Sequence, residues 1–244
     1  MSETKKIALV TGANKGIGFE TVHQLAQQGT TVLLGARDEQ RGSEAAKELQ
    51  NENLDVQFLQ LDVNDHASRQ NAAKFIEDNF GHLDILINNA GIARDFGVAA
   101  SAGTLEQWRE TFETNVFNLV ALTQTLLPLI KKSDAGRIVN LTSILGSLTI
   151  NSDPNGFLAG AFSGTAYHAS KSALNMFTVH LANELKNTPI LVNAAHPGWV
   201  KTELGGEGAP LDVETGAKTS VALATLGADG FTGKYIHLGE ELPW

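Results

Sequence analysis

Short runs of β-branched and other apolar residues alternate along the chain with longer amphipathic segments. Runs such as Ile85-Leu86-Ile87, apolar at every position, are typical of parallel strands that helices cover on both faces. The longer segments repeat apolar residues three and four positions apart, which predicts helices. The pattern therefore predicts an α/β fold, a Rossmann-type doubly wound parallel sheet of about seven strands with helices on both faces.

The predicted strands cover residues 6–11, 31–35, 56–61, 83–88, 137–141, 191–195 and 234–238. The predicted helices cover residues 16–28, 39–51, 66–80, 104–132, 165–187 and 213–226. No linker rich in Pro, Gly and Ser, no repeat and no low-complexity tract separates them. Residues 1–244 are therefore interpreted as one dinucleotide-binding and catalytic domain.

Two segments rich in Gly, Pro, Ser or Asn fit neither pattern. They cover residues 146–164, after the fifth strand, and residues 197–210, after the sixth. Ligands of open α/β sheets bind outside the carboxyl ends of the strands, where both segments must emerge. They are candidate substrate loops, with ordinary surface loops as the alternative.

Composition narrows the class of protein. The 244 residues are 42% hydrophobic and 18% charged, as in a globular protein, and contain no cysteine, which excludes disulfides and thiolate nucleophiles. The net charge of −9 is spread without a basic stripe, so a nucleic-acid partner is not expected. Four apolar residues at 7–10 are too few for a signal-peptide core, and no run of 18 apolar residues follows. We expect no membrane association and a cytoplasmic protein.

Three glycines lie where the first strand runs into the first helix. The turn reads Gly12-Ala-Asn14-Lys15-Gly16-Ile17-Gly18. Glycines let the backbone approach a pyrophosphate at a helix N-terminus, whose free N–H groups and dipole favour anions. A glycine triplet alone is weak, but its position at the first strand-to-helix turn predicts a nucleotide site.

A guanidinium follows the second strand, where a site specific for NAD usually has a carboxylate. Arg37 and Lys15 supply positive charge suited to the 2′-phosphate of NADP, and Asp38 is then free to cap the next helix. The alternative is two solvated surface cations.

Polar residues with catalytic potential follow the later strands. Tyr167 and Lys171 lie four apart, on one face of a predicted helix, and an ammonium beside a phenol lowers its pKa. Ser143 closes the fifth strand, and Asn115 lies inside the long predicted helix, where its propensity is only middling. Each of these residues alone could equally be a turn former or a helix surface residue. Their occurrence together favours a catalytic group.

The chain resembles the short-chain dehydrogenase/reductase superfamily. The motifs are Thr11-Gly-x-x-x-Gly16-x-Gly18, Asp62-Val63, Asn88-Asn89-Ala90-Gly91, Asn115, Ser143, Tyr167-x-x-x-Lys171 and Pro197-Gly198-x-Val200-x-Thr202, in family order. Asn14-Lys15, Ala36-Arg37-Asp38, residues 81–84 and Pro243-Trp244 further resemble the NADPH-dependent carbonyl reductases.

The resemblance implies a role for each matching residue. It assigns Asn115, Ser143, Tyr167 and Lys171 to catalysis: Ser143 and Tyr167 hold the carbonyl oxygen, Tyr167 donates the proton, Lys171 supports it, and Asn115 supports a water relay. It implies that the cofactor NADP(H) is bound by Gly12, Asn14, Lys15, Gly16, Ile17, Gly18, Arg37, Asp62, Val63, Asn89, Ala90, Gly91, Tyr167, Lys171, Pro197, Gly198, Val200 and Thr202.

The implied activity is hydride transfer from NADPH to an aldehyde, ketone or quinone, without a metal. Reduction of an activated C=C bond and a non-catalytic NADPH-sensing protein are the alternatives. Trp199, Phe157, Leu158, Phe162 and Leu204 predict an apolar pocket for a small-molecule substrate.

The family motifs do not cover the spacing of Ser143 and Tyr167 or the roles of the histidines. Ser143 and Tyr167 are 24 positions apart, more than is usual there, so the family leaves monomer or homo-oligomer undecided. The histidines form no pair with metal-ligand spacing, and His168 and His196 are interpreted as cap or packing residues.

Overall fold

One sheet organises the part of the chain that the computed structural model describes, residues 5–160 and 162–244. In these ranges eight strands pair in the order β3-β2-β1-β4-β5-β6-β7-β8, all parallel except β8. The strands are β1 Ile7–Thr11, β2 Thr31–Ala36, β3 Val56–Gln60, β4 Ile85–Asn88, β5 Arg137–Leu141, β6 Leu191–Ala195, β7 Tyr235–His237 and β8 Glu240–Glu241. Residues 1–4, and residue 161 of the predicted loop 146–164, lie outside the described residues.

The helices cover both faces of this sheet. They are α1 Gly16–Gln27, α2 Glu39–Asn51, α3 His66–Phe80, α4 Leu105–Phe112, α5 Asn118–Ile130, α6 Leu148–Asn151, α7 Thr165–Leu185 and α8 Val213–Ala224. No helix within the described ranges is both long enough and apolar enough to cross a membrane.

Neighbouring residues of each central strand enter opposite cores. Ala8 and Val10 belong to the core under α1, α2 and α8, whereas Ile7 and Leu9 belong to the core under α3, α5 and α7. Because both faces are buried, the strands carry continuous apolar runs. The doubly wound α/β fold is therefore confirmed, and the eighth strand is a short antiparallel addition to the predicted seven.

The sheet order reverses between β1 and β4, which creates the crevice for a ligand. From β1 the chain continues to β2 and β3 on one side, and from β4 it continues to β5, β6 and β7 on the other. The carboxyl ends of β1 and β4 therefore flank a topological switch point, the usual ligand position in open α/β sheets.

The prediction of one continuous helix over residues 104–132 is wrong. The segment is α4, then a π-helical turn at Glu113–Phe117, then α5. The wider turn contains Asn115, whose fully buried side chain bonds the backbone of Ile92 rather than a helical neighbour. The contact with Ile92 explains why an asparagine lies at this position, which the helical pattern alone does not explain.

Candidate active site

The glycine turn is bonded directly to the end of β4. Backbone N–H groups of Asn89 and Ala90 each donate to Thr11 Oγ1 over 3.0 Å. The Asn89 side chain donates to Thr11 O over 2.7 Å and to Gly12 O over 3.1 Å. A Cβ at Gly18 would lie 2.5 Å from Asn89 Nδ2, so the turn and the strand end meet this closely only with glycine at 18.

The N-terminus of α1 is open to a ligand. Lys15, its N-cap residue, makes no side-chain cap hydrogen bond, whereas Asp38, Asp65 and Asp212 cap α2, α3 and α8. Uncapped N–H groups at the positive end of a helix bind anions. Glycines 12 and 16 adopt positive φ angles of 62° and 58° and leave this end free of side chains. The turn therefore fits a dinucleotide pyrophosphate.

Charged residues line one end of the crevice. Arg37 is exposed just after β2 and, with Asp62, lines a cavity of about 540 Å³. Asp38 Oδ1 accepts from the Arg41 N–H over 2.9 Å, which confirms its predicted role as the cap of α2. Lys15 pairs with the carboxylate of Glu203, a residue that the sequence analysis did not single out.

Tyr167 and Lys171 lie on the inner face of α7 and are both buried. Lys171 Nζ is 5.6 Å from the centroid of the Tyr167 ring and donates to Leu141 O, at the end of β5, over 2.8 Å. Ser143 follows two residues after Leu141 and is also buried. The helix and the strand end thus bring a hydroxyl, a phenol and an ammonium together.

Burial decides which protons this group holds. It raises the pKa of Tyr167 to about 12 because the phenolate loses its water, and the hydrogen bond with the Ser143 hydroxyl opposes this shift only in part. Burial also lowers the pKa of Lys171 to about 8. The predicted lowering of the Tyr167 pKa by the neighbouring ammonium is therefore wrong, because burial dominates. At neutral pH Tyr167 keeps the proton that an acid must donate.

Asn115 faces the same centre from the π-helical turn. Its Oδ1 accepts from the Ile92 N–H over 2.8 Å, and its Nδ2 donates to Ile92 O over 2.8 Å and to Ser170 Oγ over 3.1 Å. A Cβ at Gly91 would lie 3.4 Å from Asn115 Oδ1 and 3.5 Å from Lys171 Nζ. Asn115 and Lys171 therefore flank Gly91.

The segment after β6 closes the opposite side of the crevice. Val200 forms a parallel bridge with Leu211, and Thr202 Oγ1 accepts from the Gly205 N–H over 3.0 Å. A Cβ at Gly16 would lie 3.5 Å from the Thr202 methyl group. The candidate cofactor residues of this segment therefore lie beside those of the glycine turn.

The site also contains Asp95 and Phe96, which the sequence analysis missed. The half-exposed Phe96 ring packs edge-on against Tyr167, with 5.0 Å between ring centroids. Asp95 is 2% exposed and bonds the backbone of α7. Both residues lie in an irregular loop, where no periodicity marks a contact with a helix about 70 residues away.

A doubly wound sheet with an open glycine turn at its switch point, and a Ser-Tyr-Lys group beside it, defines a dinucleotide-dependent oxidoreductase. A model of the short chain dehydrogenase family matches residues 6–210, and the chain belongs to this family.

Individual relatives cover almost the whole chain. It is 40% identical over 230 residues to short-chain dehydrogenase anuI of Penicillium roqueforti, covering 92% of this chain and 90% of that one. It is 36% identical over 281 residues to carbonyl reductase [NADPH] 1 of Rattus norvegicus, covering both in full. The crystal structure of NADPH-bound carbonyl reductase from chicken fatty liver superposes with a TM-score of 0.86 at 30% identity, covering 98% of this chain and 99% of that one. The predicted family is confirmed.

Proposed function

We propose that the protein is an NADPH-dependent reductase that transfers hydride to the carbonyl carbon of a small apolar aldehyde, ketone or quinone. One observation carries this function: a buried, protonated Tyr167 stands beside Ser143 and Lys171 at the ligand-binding edge of the sheet. The rat relative, named carbonyl reductase [NADPH] 1, and the chicken carbonyl reductase, whose structure has NADPH bound, support the same activity.

The chain's own residues would control the proton and the oxygen. NADPH, when bound, supplies the hydride. Ser143 and Tyr167 would both donate hydrogen bonds to the carbonyl oxygen, where negative charge develops, and Tyr167 would transfer its proton there. Lys171, held by Leu141 O, would stabilise the resulting phenolate with its charge. Asn115 would support a water relay that returns a proton to Tyr167 through Lys171.

The residues that would hold NADPH follow the crevice. The open N-terminus of α1, with Gly12 to Gly18, suits the pyrophosphate. Asp62 and Val63 would contact the adenine, and Arg37 and Lys15 the 2′-phosphate. Asn89, Ala90 and Gly91, together with Pro197, Gly198, Val200 and Thr202, would line the nicotinamide half.

Carbonyl reduction is favoured over reduction of an activated C=C bond. A developing alkoxide needs donors at the oxygen, and the Ser143 and Tyr167 hydroxyls, which are hydrogen bonded to each other, can both supply them. Exposed rings of Phe157, Phe162 and Trp199 on residues 146–164 and 197–210 support an apolar substrate and a role for both segments as substrate loops. The cytoplasmic location and the single-domain organisation stay predictions from the sequence.

A turnover assay with one matched pair of variants tests the function. The assay follows NADPH consumption with quinones, aromatic aldehydes, cyclic ketones and enones. Tyr167→Phe should lower turnover by at least ~10²-fold, the lower end for loss of a general acid, and change the NADPH dissociation constant little.

The control is Tyr235→Phe, at the second of the chain's two tyrosines. Its buried hydroxyl has no hydrogen-bond partner among the described residues, so this variant should keep full turnover. Turnover by Tyr167→Phe within a few fold of the wild type would refute the assignment. NADPH binding without turnover of any carbonyl would instead indicate a sensing protein.

A further inference from the structure

The helix that carries Tyr167 begins without a cap of its own. Gly164, at its N-cap position, has no side chain and makes no side-chain cap hydrogen bond. The first N–H groups of an α-helix have no acceptor within the helix and need one from elsewhere. A Cβ at Gly164 would lie 2.9 Å from Phe96 Cδ1, so a capping side chain at 164 does not fit beside Phe96.

Asp95 supplies the missing acceptors from a different part of the chain. Its Oδ2 accepts from the Ala166 N–H over 2.6 Å, and its Oδ1 accepts from the Tyr167 N–H over 3.2 Å. Asp38, Asp65 and Asp212 cap the helices that they immediately precede, whereas Asp95 is 72 positions from Tyr167. The loop after β4 is therefore bonded to the backbone of Tyr167 itself.

The loop that carries Asp95 is fixed on both sides. Arg94 Nε donates to Glu110 Oε2 over 2.7 Å, and Gln107 Nε2 donates to Arg94 O over 2.9 Å, so α4 anchors the residue before Asp95. After Asp95, the Gly97 N–H donates to Ser163 O over 3.3 Å. Because its neighbours are held, the Asp95 carboxylate has a defined position relative to α4 and to the segment that leads into α7.

We propose that Asp95 is a positioning residue that sets where Tyr167 stands relative to Ser143. The carboxylate satisfies two N–H groups and complements the positive end of the helix, so it fixes the first turn of α7, in which Tyr167 lies. Phe96 then holds the ring from its edge. The inference rests on the proposed function, because it assigns the placement of the proposed acid.

Two substitutions at Asp95 test the inference. Asp95→Leu keeps the branched shape and the number of side-chain heavy atoms but removes both acceptors, and misplacement of the acid should lower kcat by about 10- to 100-fold. Asp95→Asn keeps one carbonyl acceptor and presents an NH2 group to the other N–H, so its kcat should lie between those of the wild type and Asp95→Leu. The NADPH dissociation constant should stay within about twofold in both, since reacting-group geometry, rather than cofactor binding, is disturbed.

A matched cap elsewhere separates positioning from general loss of stability. Asp212→Ala removes the carboxylate that accepts from the Thr215 N–H over 2.8 Å at the start of α8. Both Asp212→Ala and Asp95→Leu should lower the melting temperature, but kcat should fall only in Asp95→Leu. If kcat falls alike in both, or is unchanged in Asp95→Leu, the inference is wrong.

If Asp95→Leu yields no folded protein, Asp95→Asn decides, and an unchanged kcat in that variant overturns the inference. Tyr167→Phe is measured in the same assay. Loss of turnover in Tyr167→Phe with normal kcat in the Asp95 variants rejects only the positioning role, whereas full turnover in Tyr167→Phe rejects the proposed function.

Discussion

Lys15 of the glycine turn pairs with Glu203, 188 residues later in the chain, and so joins the two sides of the cofactor crevice. Hydrogen bonding from Lys15, together with its charge, lowers the pKa of Glu203, and Arg41 adds a smaller contribution. The carboxylate thus occupies one of the two cations that we assign to the 2′-phosphate of NADPH. We propose that Glu203 competes with the cofactor for Lys15.

We expect Glu203→Gln to bind NADPH more tightly, by about two- to fivefold, because an exposed ion pair contributes little and its release gains little. The dissociation constant of NADH, which has no 2′-phosphate, should not change. Cofactor fluorescence titrations measure both constants. Glu207→Gln, an exposed residue of the same loop, is the control for loss of charge. Equal tightening of NADH and NADPH would contradict the competition.

Arg37 provides the stronger test of cofactor preference. If it grips the 2′-phosphate, its loss should weaken NADPH by about 10- to 150-fold, the range for one charge-assisted hydrogen bond. Arg37→Asp should go further and shift preference towards NADH, because a carboxylate repels the phosphate but accepts from a free 2′-hydroxyl. The ratio of kcat/KM for NADH and NADPH measures the shift.

Lys47→Asp makes the same change of charge at an exposed position of α2 and should leave this ratio unchanged. The effect of Arg37→Asp should also shrink with added salt, since Arg37 is exposed. An unchanged ratio in Arg37→Asp, or a wild type that already favours NADH, would refute the assignment.

Several elements could be predicted to the residue because their ends carry local signals. The bounds of α2 and α3 match the prediction, since Asp38 and Asp65 cap their starts and Gly81, with φ at 76°, ends α3. Strands β5 and β6 match as well: Gly136 and Thr142 bound β5, and β6 lies between Pro189 and His196. Such signals lie within a few residues of the element and are visible in the sequence.

The features that escaped prediction depend on residues far apart in the chain. The π-helical turn around Asn115 follows from its contact with Ile92, and the role of Asp95 follows from its contact with α7. The direction of the Tyr167 pKa shift follows from burial, which spacing along a helix does not reveal. Strand β8 has two residues, too few for an alternating pattern.

An aromatic pair connects the two proposed substrate loops. The rings of Phe162 and Trp199 meet edge-on, with 5.8 Å between centroids, and Trp199 Nε1 donates to Gly205 O over 2.7 Å. Such a pair contributes about 0.5–1.5 kcal/mol, equivalent to roughly 2- to 12-fold in an equilibrium constant.

We therefore expect Phe162→Ala to raise KM for an apolar ketone by a factor in that range and to leave NADPH binding unchanged. Steady-state kinetics and a cofactor titration measure the two effects. Phe231→Ala, at an exposed residue whose backbone O accepts from Asn193 Nδ2 in β6, is the control. A matching loss of NADPH affinity in Phe162→Ala would show that the pair maintains the cofactor site rather than the substrate pocket.

His196 links the end of β5 to the Pro-Gly turn after β6. Its Nδ1 accepts from the N–H of Ile144, next to Ser143, over 3.3 Å, and from the N–H of Gly198 over 3.4 Å. Burial, with a smaller contribution from the adjacent His237, lowers the pKa of His196 to about 3. A neutral ring is needed here, since a protonated Nδ1 cannot accept.

This shift predicts a particular loss of stability in acid. The unfolded chain binds a proton at His196 below about pH 6.5, whereas the native protein binds it only near pH 3, so between these values the unfolded state holds more protons. The free energy of unfolding should therefore fall with decreasing pH, by up to about 1.4 kcal/mol per pH unit from this group.

The variant His196→Asn tests this shift because asparagine keeps an acceptor but does not titrate. Between pH 7 and pH 5 its free energy of unfolding should fall by about 2 kcal/mol less than that of the wild type. Urea unfolding at the two pH values measures the difference, with the exposed His180→Asn as control. If His196→Asn loses as much stability as the wild type over this range, His196 is already protonated in the native protein and does not link the strand to the turn in this way.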